Sequence, residues 1–111
     1  MPYPDSFAWY YADDLDVPFK PATNESAPDL TGSSLSFAIA KRLGDTALVT
    51  KTTAGGTITV TSAPDGLFTV HLLAADAASL GGLGLFRFQV KTVSPTTTLA
   101  EGWVNVHDTI R

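Results

Sequence analysis

Cysteine is absent from this chain of 111 residues. Disulfides and thiolate metal sites are therefore excluded, and packing alone must hold the fold. Charge is scarce too, at 16% of residues against about 25% in an ordinary domain. The 7 Lys and Arg residues are scattered and form no basic stripe. A surface that tracks phosphates needs clustered cations, so nucleic acid is not an expected partner. No apolar run approaches the roughly 18 residues that read as a membrane-spanning helix, so no membrane partner is expected either. Met1-Pro2-Tyr3-Pro4-Asp5 has neither the basic region nor the apolar stretch of a signal peptide. Synthesis in a cytoplasm is the corresponding expectation.

What is present points to one β domain. The chain is 44% hydrophobic, and its length suits a single unit, 1–111, with a core of its own. Leu35, Phe37 and Ile39 alternate with Ser34, Ser36 and Ala38. Phe68, Val70 and Leu72, and then Phe86, Phe88 and Val90, repeat the two-residue period. Such alternation marks strands with one buried face. Pro18 removes a ladder donor and assigns the strand at Leu15 to Phe19 to a sheet edge. Ala74 to Leu80 is Ala-rich and suits one helical turn. Glu101-Gly102 reads as a bulge, since Gly inside a strand pattern often marks one. The even spacing of strands and turns predicts an all-β fold, an antiparallel immunoglobulin-like sandwich of seven to eight strands.

Four short signals punctuate the strands in order. They are Asp29-Leu30-Thr31-Gly32, Gly66-Leu67-Phe68-Thr69-Val70, Asp76-Ala77-Ala78-Ser79-Leu80-Gly81 and Thr98-Leu99-Ala100-Glu101-Gly102-Trp103-Val104. Each joins a turn-forming Gly or Asp to an alternating apolar run. Together they resemble the immunoglobulin-like module of bacteriophage tail and baseplate proteins, the family typified by the N-terminal domain of baseplate upper proteins. The resemblance runs from about Leu15 to Val106. Asp29 to Gly32 matches its D-L-T-G signal, and Gly66, Phe68, Val70 and Leu72 match G-x-F-x-V-x-L. Asp76, Ala78, Leu80, Gly84, Phe86, Phe88 and Val90 follow the next signal, with Ala77 where Thr is usual and Phe86 where Tyr is usual. Thr98, Leu99, Gly102, Val104 and Val106 match the last. The resemblance implies a virion structural role in a tail, baseplate or fibre attachment, assembled in the host cytoplasm beside other virion proteins. Family members are often fused to longer fibre regions. This sequence stops just after the sandwich, which favours a small connector or decoration subunit over a receptor binder.

Constellations that carry chemistry are weak here. His71 and His107 fall at outward strand positions, without the Asp or Glu spacing of a zinc site. Asp13-Asp14-Leu15-Asp16 lacks the glycine and closing Glu of a calcium loop, and a solvated acidic turn accounts for it. Gly81-Gly82-Leu83-Gly84 lacks the Lys-Ser/Thr of a phosphate loop and precedes a strand. Glu25 and Glu101 give no facing carboxylate pair. No catalytic residue, metal or cofactor is expected.

Aromatics supply the remaining signal. The segment of about 1–11 reads as an N-terminal arm carrying Phe7, Trp9, Tyr10 and Tyr11. Trp9 suits either the core or an interface. Trp103 is expected to point outward, because Val104 and Val106 claim the inner face. Exposed rings mark interfaces or sugar platforms. Phe7, Trp9, Tyr10, Tyr11 and Trp103 are accordingly the candidate contacts with another chain, in a homo-oligomer or against a virion neighbour. A carbohydrate- or receptor-binding module of a tail fibre is the alternative.

Overall fold

The computed structural model describes residues 6–11, 13–20, 29–42, 44–81, 83–93 and 96–107. The expected arm at 1–5, most of the polar loop at 21–34, the glycine at 82 and the turn at Ser94-Pro95 lie outside them. Among the described residues, eight strands and one short helix follow in order: β1 (Ser6–Tyr10), β2 (Leu15–Phe19), β3 (Leu35–Ala40), β4 (Val49–Thr52), β5 (Ile58–Ser62), β6 (Leu67–Leu72), α1 (Ala74–Ser79), β7 (Gly84–Val93) and β8 (Thr96–His107). They form two sheets, β1-β8-β7-β3-β4 and β2-β6-β5. This is an all-β sandwich. The β2-β6-β5 and β8-β7-β3-β4 orders are those of the two sheets of an immunoglobulin-type domain.

Two expectations need correction. The sheets are not wholly antiparallel, because β1 runs parallel to β8, from Ser6 beside Trp103 to Tyr10 beside His107. The chain passes from one sheet to the other between Tyr10 and Leu15, so β1 forms no hairpin with β2. Alternation reports which face a residue takes but not which strand lies beside it. Segment 6–10 is therefore a sheet strand and not an arm. The bulge also sits earlier than Glu101-Gly102. Val90 pairs with Ala100 and Lys91 with Thr98, which makes Leu99 the extra residue. Both Leu99 and Ala100 consequently turn inward.

The core is the alternation made solid. Leu35, Phe37, Ile39, Phe86, Phe88 and Val90 from one sheet meet Phe68, Val70 and Leu72 from the other, all essentially without exposure. Phe19 stacks on Phe68 at 4.9 Å between ring centres and meets Phe88 edge-on at 5.7 Å. These rings bind the two sheets, at about 0.5–1.5 kcal/mol per pair beyond simple burial.

Each turn signal has a local cause. The Asp29 carboxylate accepts the Thr31 N–H at 2.9 Å, and Ser33 N–H donates to the Leu30 carbonyl at 2.9 Å. Leu30 plugs the core while Gly32 takes φ +75°. In the β5–β6 hairpin Gly66 takes φ +70°, and the Ser62 hydroxyl donates to Asp65 at 2.9 Å. Both conformations disfavour a side chain. In the third signal Asp76 accepts the Leu73 N–H at 2.8 Å and starts α1.

Candidate assembly surface

The outward face of the five-stranded sheet is built by the partners of alternation. β8 turns Ala100, Gly102, Val104 and Val106 inward, and Trp103, Asn105 and His107 outward. Register then sets the neighbours: Trp103 lies between Ser6 on β1 and Arg87 on β7, and Asn105 between Ala8 and Leu85. Arg87 stacks its guanidinium over the Trp103 ring at 4.2 Å and donates from Nε to the Gly102 carbonyl at 3.1 Å. That stacking covers one ring face and holds the indole upright. Beside it, Gln89 donates to Glu101 at 3.0 Å.

The result is a shallow depression of about 430 Å³, lined by Ser6, Phe7, Ala8, Leu85, Trp103 and Asn105. Ser6 and Ala8 are small and form its low side. Leu85 (52% exposed) and Trp103 (44%) stand beside them, and Tyr10 (54%) lies at the end of β1 with its ring 5.5 Å from His107. Large apolar groups gathered on one face mark an interaction site more than chance exposure does.

The five candidate contacts divide. Trp103 and Tyr10 face solvent as an interface requires. Trp9 does not: at 1% exposure it is a core residue, and its Nε1 donates to the Asp13 carbonyl at 2.8 Å. Phe7 is half-buried on the inner side, 5.3 Å from Phe88 and 6.4 Å from Phe37. Tyr11 is half-buried against the core. Parallel pairing on β8 is the physical reason, because it continues the inner face under β1. Leu85 and Arg87 were the missed members of the surface. Their signal was their place opposite Asn105 and Trp103, which only the register supplies.

Sequence separation concealed two polar constellations. His71 accepts or donates at both ring nitrogens, Nδ1 to Asp16 at 2.8 Å and Nε2 to Thr59 at 2.8 Å. The order hydroxyl, imidazole, carboxylate is that of an acyl-transfer triad. Such chemistry also needs preorganised donors for an oxyanion and a cleft for substrate. Thr59, His71 and Asp16 instead cross an open sheet face, from β5 through β6 to β2, and have no part in the depression beside Trp103. Their evident work is to brace three strands. Lys51, 8% exposed, reaches inward from β4 to Asp76 at 2.6 Å and ties α1 to the sheet edge. No group of three or more metal-ligating side chains forms among the described residues. No protein-family model matches the chain, and no curated protein matches it.

Proposed function

We propose that this chain is a non-enzymatic structural subunit of a tailed-bacteriophage or prophage virion, placed in the tail, the baseplate or a fibre attachment. It works by protein–protein assembly. The observation that carries this reading is the solvent-facing patch of Tyr10, Leu85 and Trp103 on one sheet face. Rigid rings bury much apolar area at little entropic cost, and they dominate interface energies. The four turn signals, read as a family resemblance, supply the virion context. The alternative sugar platform is less favoured, because Arg87 already occupies one face of Trp103.

Mass spectrometry of purified particles tests the proposal. The chain is expected at a fixed ratio to other virion proteins. A Leu85→Ser/Trp103→Ala variant is expected to fold and yet be missing from particles. Absence of the unaltered chain from particles refutes the virion role, and binding on a glycan array lost in Trp103→Ala establishes the alternative.

A further inference from the structure

Every sheet edge is a hazard, since its unpaired backbone groups invite another strand. Among the described residues the two sheets have four edges, and three of them carry a known protection. β2 contains Pro18 and Asp16. β5 breaks register between Val60 and Ser62. β4 has only four residues and turns Lys51 inward. β1 has none of these: Ser6-Phe7-Ala8-Trp9-Tyr10 contains no charge and no proline, and its register with β8 is unbroken. No described strand lies on its other side.

We propose that β1 is a homodimer edge, on which a second copy of this chain pairs antiparallel through its own β1, centred on Ala8. This rests on the assembly reading and names its first partner. The pairing is self-complementary, as a two-fold interface must be. Keeping the outward faces of both copies aligned limits the register to pairs whose numbers share parity. Of these, Ala8 opposite Ala8 uses all five residues. It sets Tyr10 of one copy opposite Ser6 of the other. The exposed ring of Tyr10 then lies beside the smallest wall of the depression, toward Leu85 and Trp103. It sets Phe7 opposite Trp9 on the inner side. Every cross-strand pair is large against small, small against small or ring against ring, and none opposes like charges. The β1 edges join the two five-stranded sheets into one.

Light scattering on the eluting peak tests this. The unaltered chain is expected at twice its 11.7 kDa mass. Ala8→Lys places like charges side by side at the two-fold and should weaken dimerisation at least about tenfold. Its circular dichroism should be unchanged, because Ala8 is exposed, and its melting should match that of the unaltered chain diluted until it is monomeric. Mixing Ala8→Lys with Ala8→Asp should restore a dimer. Ala8→Cys should oxidise to a covalent dimer, because facing residues in an antiparallel pair lie about 4.5–5.5 Å apart at Cα, within disulfide reach. No native cysteine competes. A dimer that survives Ala8→Lys, together with an Ala8→Cys variant that yields no covalent dimer, overturns the edge pairing and leaves the assembly reading standing. A monomer up to about 0.1 mM, where a Kd near 10 µM would already populate dimer, overturns self-association. Particle composition then judges the assembly reading separately.

Discussion

Trp9→Ala separates a core strand from a surface arm. The ring is 1% exposed. A buried tryptophan removes up to about 250 Å² from water, worth roughly 6 kcal/mol at about 25 cal/mol per Å². The unfolded chain already hides part of that area, so the figure is an upper bound. Core truncations of this size cost about 3–5 kcal/mol. The Asp13 carbonyl also loses its indole donor, but Asp13 is exposed and water can replace it. Against a domain stability of about 5–15 kcal/mol, the loss is about a fifth or more. Urea titration followed by far-ultraviolet circular dichroism should show an unchanged slope. The midpoint should fall by about 2 M if the slope is about 2 kcal/mol per M. Trp103→Ala is the matched control. Its ring is 44% exposed, and the stacking with Arg87 is worth only about 0.5–1 kcal/mol. The chain has just these 2 tryptophans, so each variant leaves one reporter: blue-shifted emission from Trp9, red-shifted from Trp103. A Trp9→Ala loss below about 1 kcal/mol, or a larger loss in Trp103→Ala, would refute the seating of β1 in the core.

Gly66→Val should cost at least about 1–2 kcal/mol, because the left-handed backbone at φ +70° crowds a Cβ; an unchanged denaturation midpoint would count against the hairpin at Ala63–Gly66. Asp76→Ala should cost about 3–5 kcal/mol by stranding the buried Lys51 and removing the α1 cap, whereas Lys51→Met should cost much less; equal losses in urea titration would show that the pair is not what matters. The Thr31 hydroxyl, and next its N–H, donate to Asp29 and hold its carboxyl below the ordinary 3.8. A lowered folded value means that its contribution is complete above the unfolded value and is lost as pH falls through the folded one. Melts from about pH 6 down to pH 2 should therefore lose stability faster in the unaltered chain than in Asp29→Asn, and parallel curves would exclude the turn as the cause.

Much of the fold was legible because one face of each strand is buried. Three alternating runs named nine core residues, and all nine are buried. The turn-forming places of Gly32 and Gly66 were legible too, and both residues take positive φ. Alternation carries no information about lateral neighbours, so the parallel β1–β8 pair was hidden and Trp9 stayed divided between core and surface. The bulge was misplaced for a related reason. Gly102 looked irregular within the strand, yet it sits in regular register opposite Phe88 while Leu99 is the inserted residue. Lys51 was invisible as an inward residue, because its partner Asp76 lies far along the chain on α1 and a charged side chain normally signals the outer face.

The candidate surface was half legible for the same reason. Trp103 could be turned outward by subtracting Val104 and Val106 from the inner face, a local inference that needs one strand. Leu85, Arg87 and Ala8 join it only through lateral register, which brings residues about 20 and 100 positions away in sequence alongside β8. The correction at Trp9 therefore sharpens the assembly reading instead of removing it. Seating Trp9 inward fixes the pleat of β1, and a fixed pleat forces Ser6, Ala8 and Tyr10 outward together. The aromatic segment cannot offer all its rings to a partner. It offers one ring, two small residues and a backbone edge without charge, proline or bulge, engaged only at its end where the Tyr10 carbonyl accepts the Asp13 N–H at 3.1 Å, and the proposed strand pairing rests on that composition.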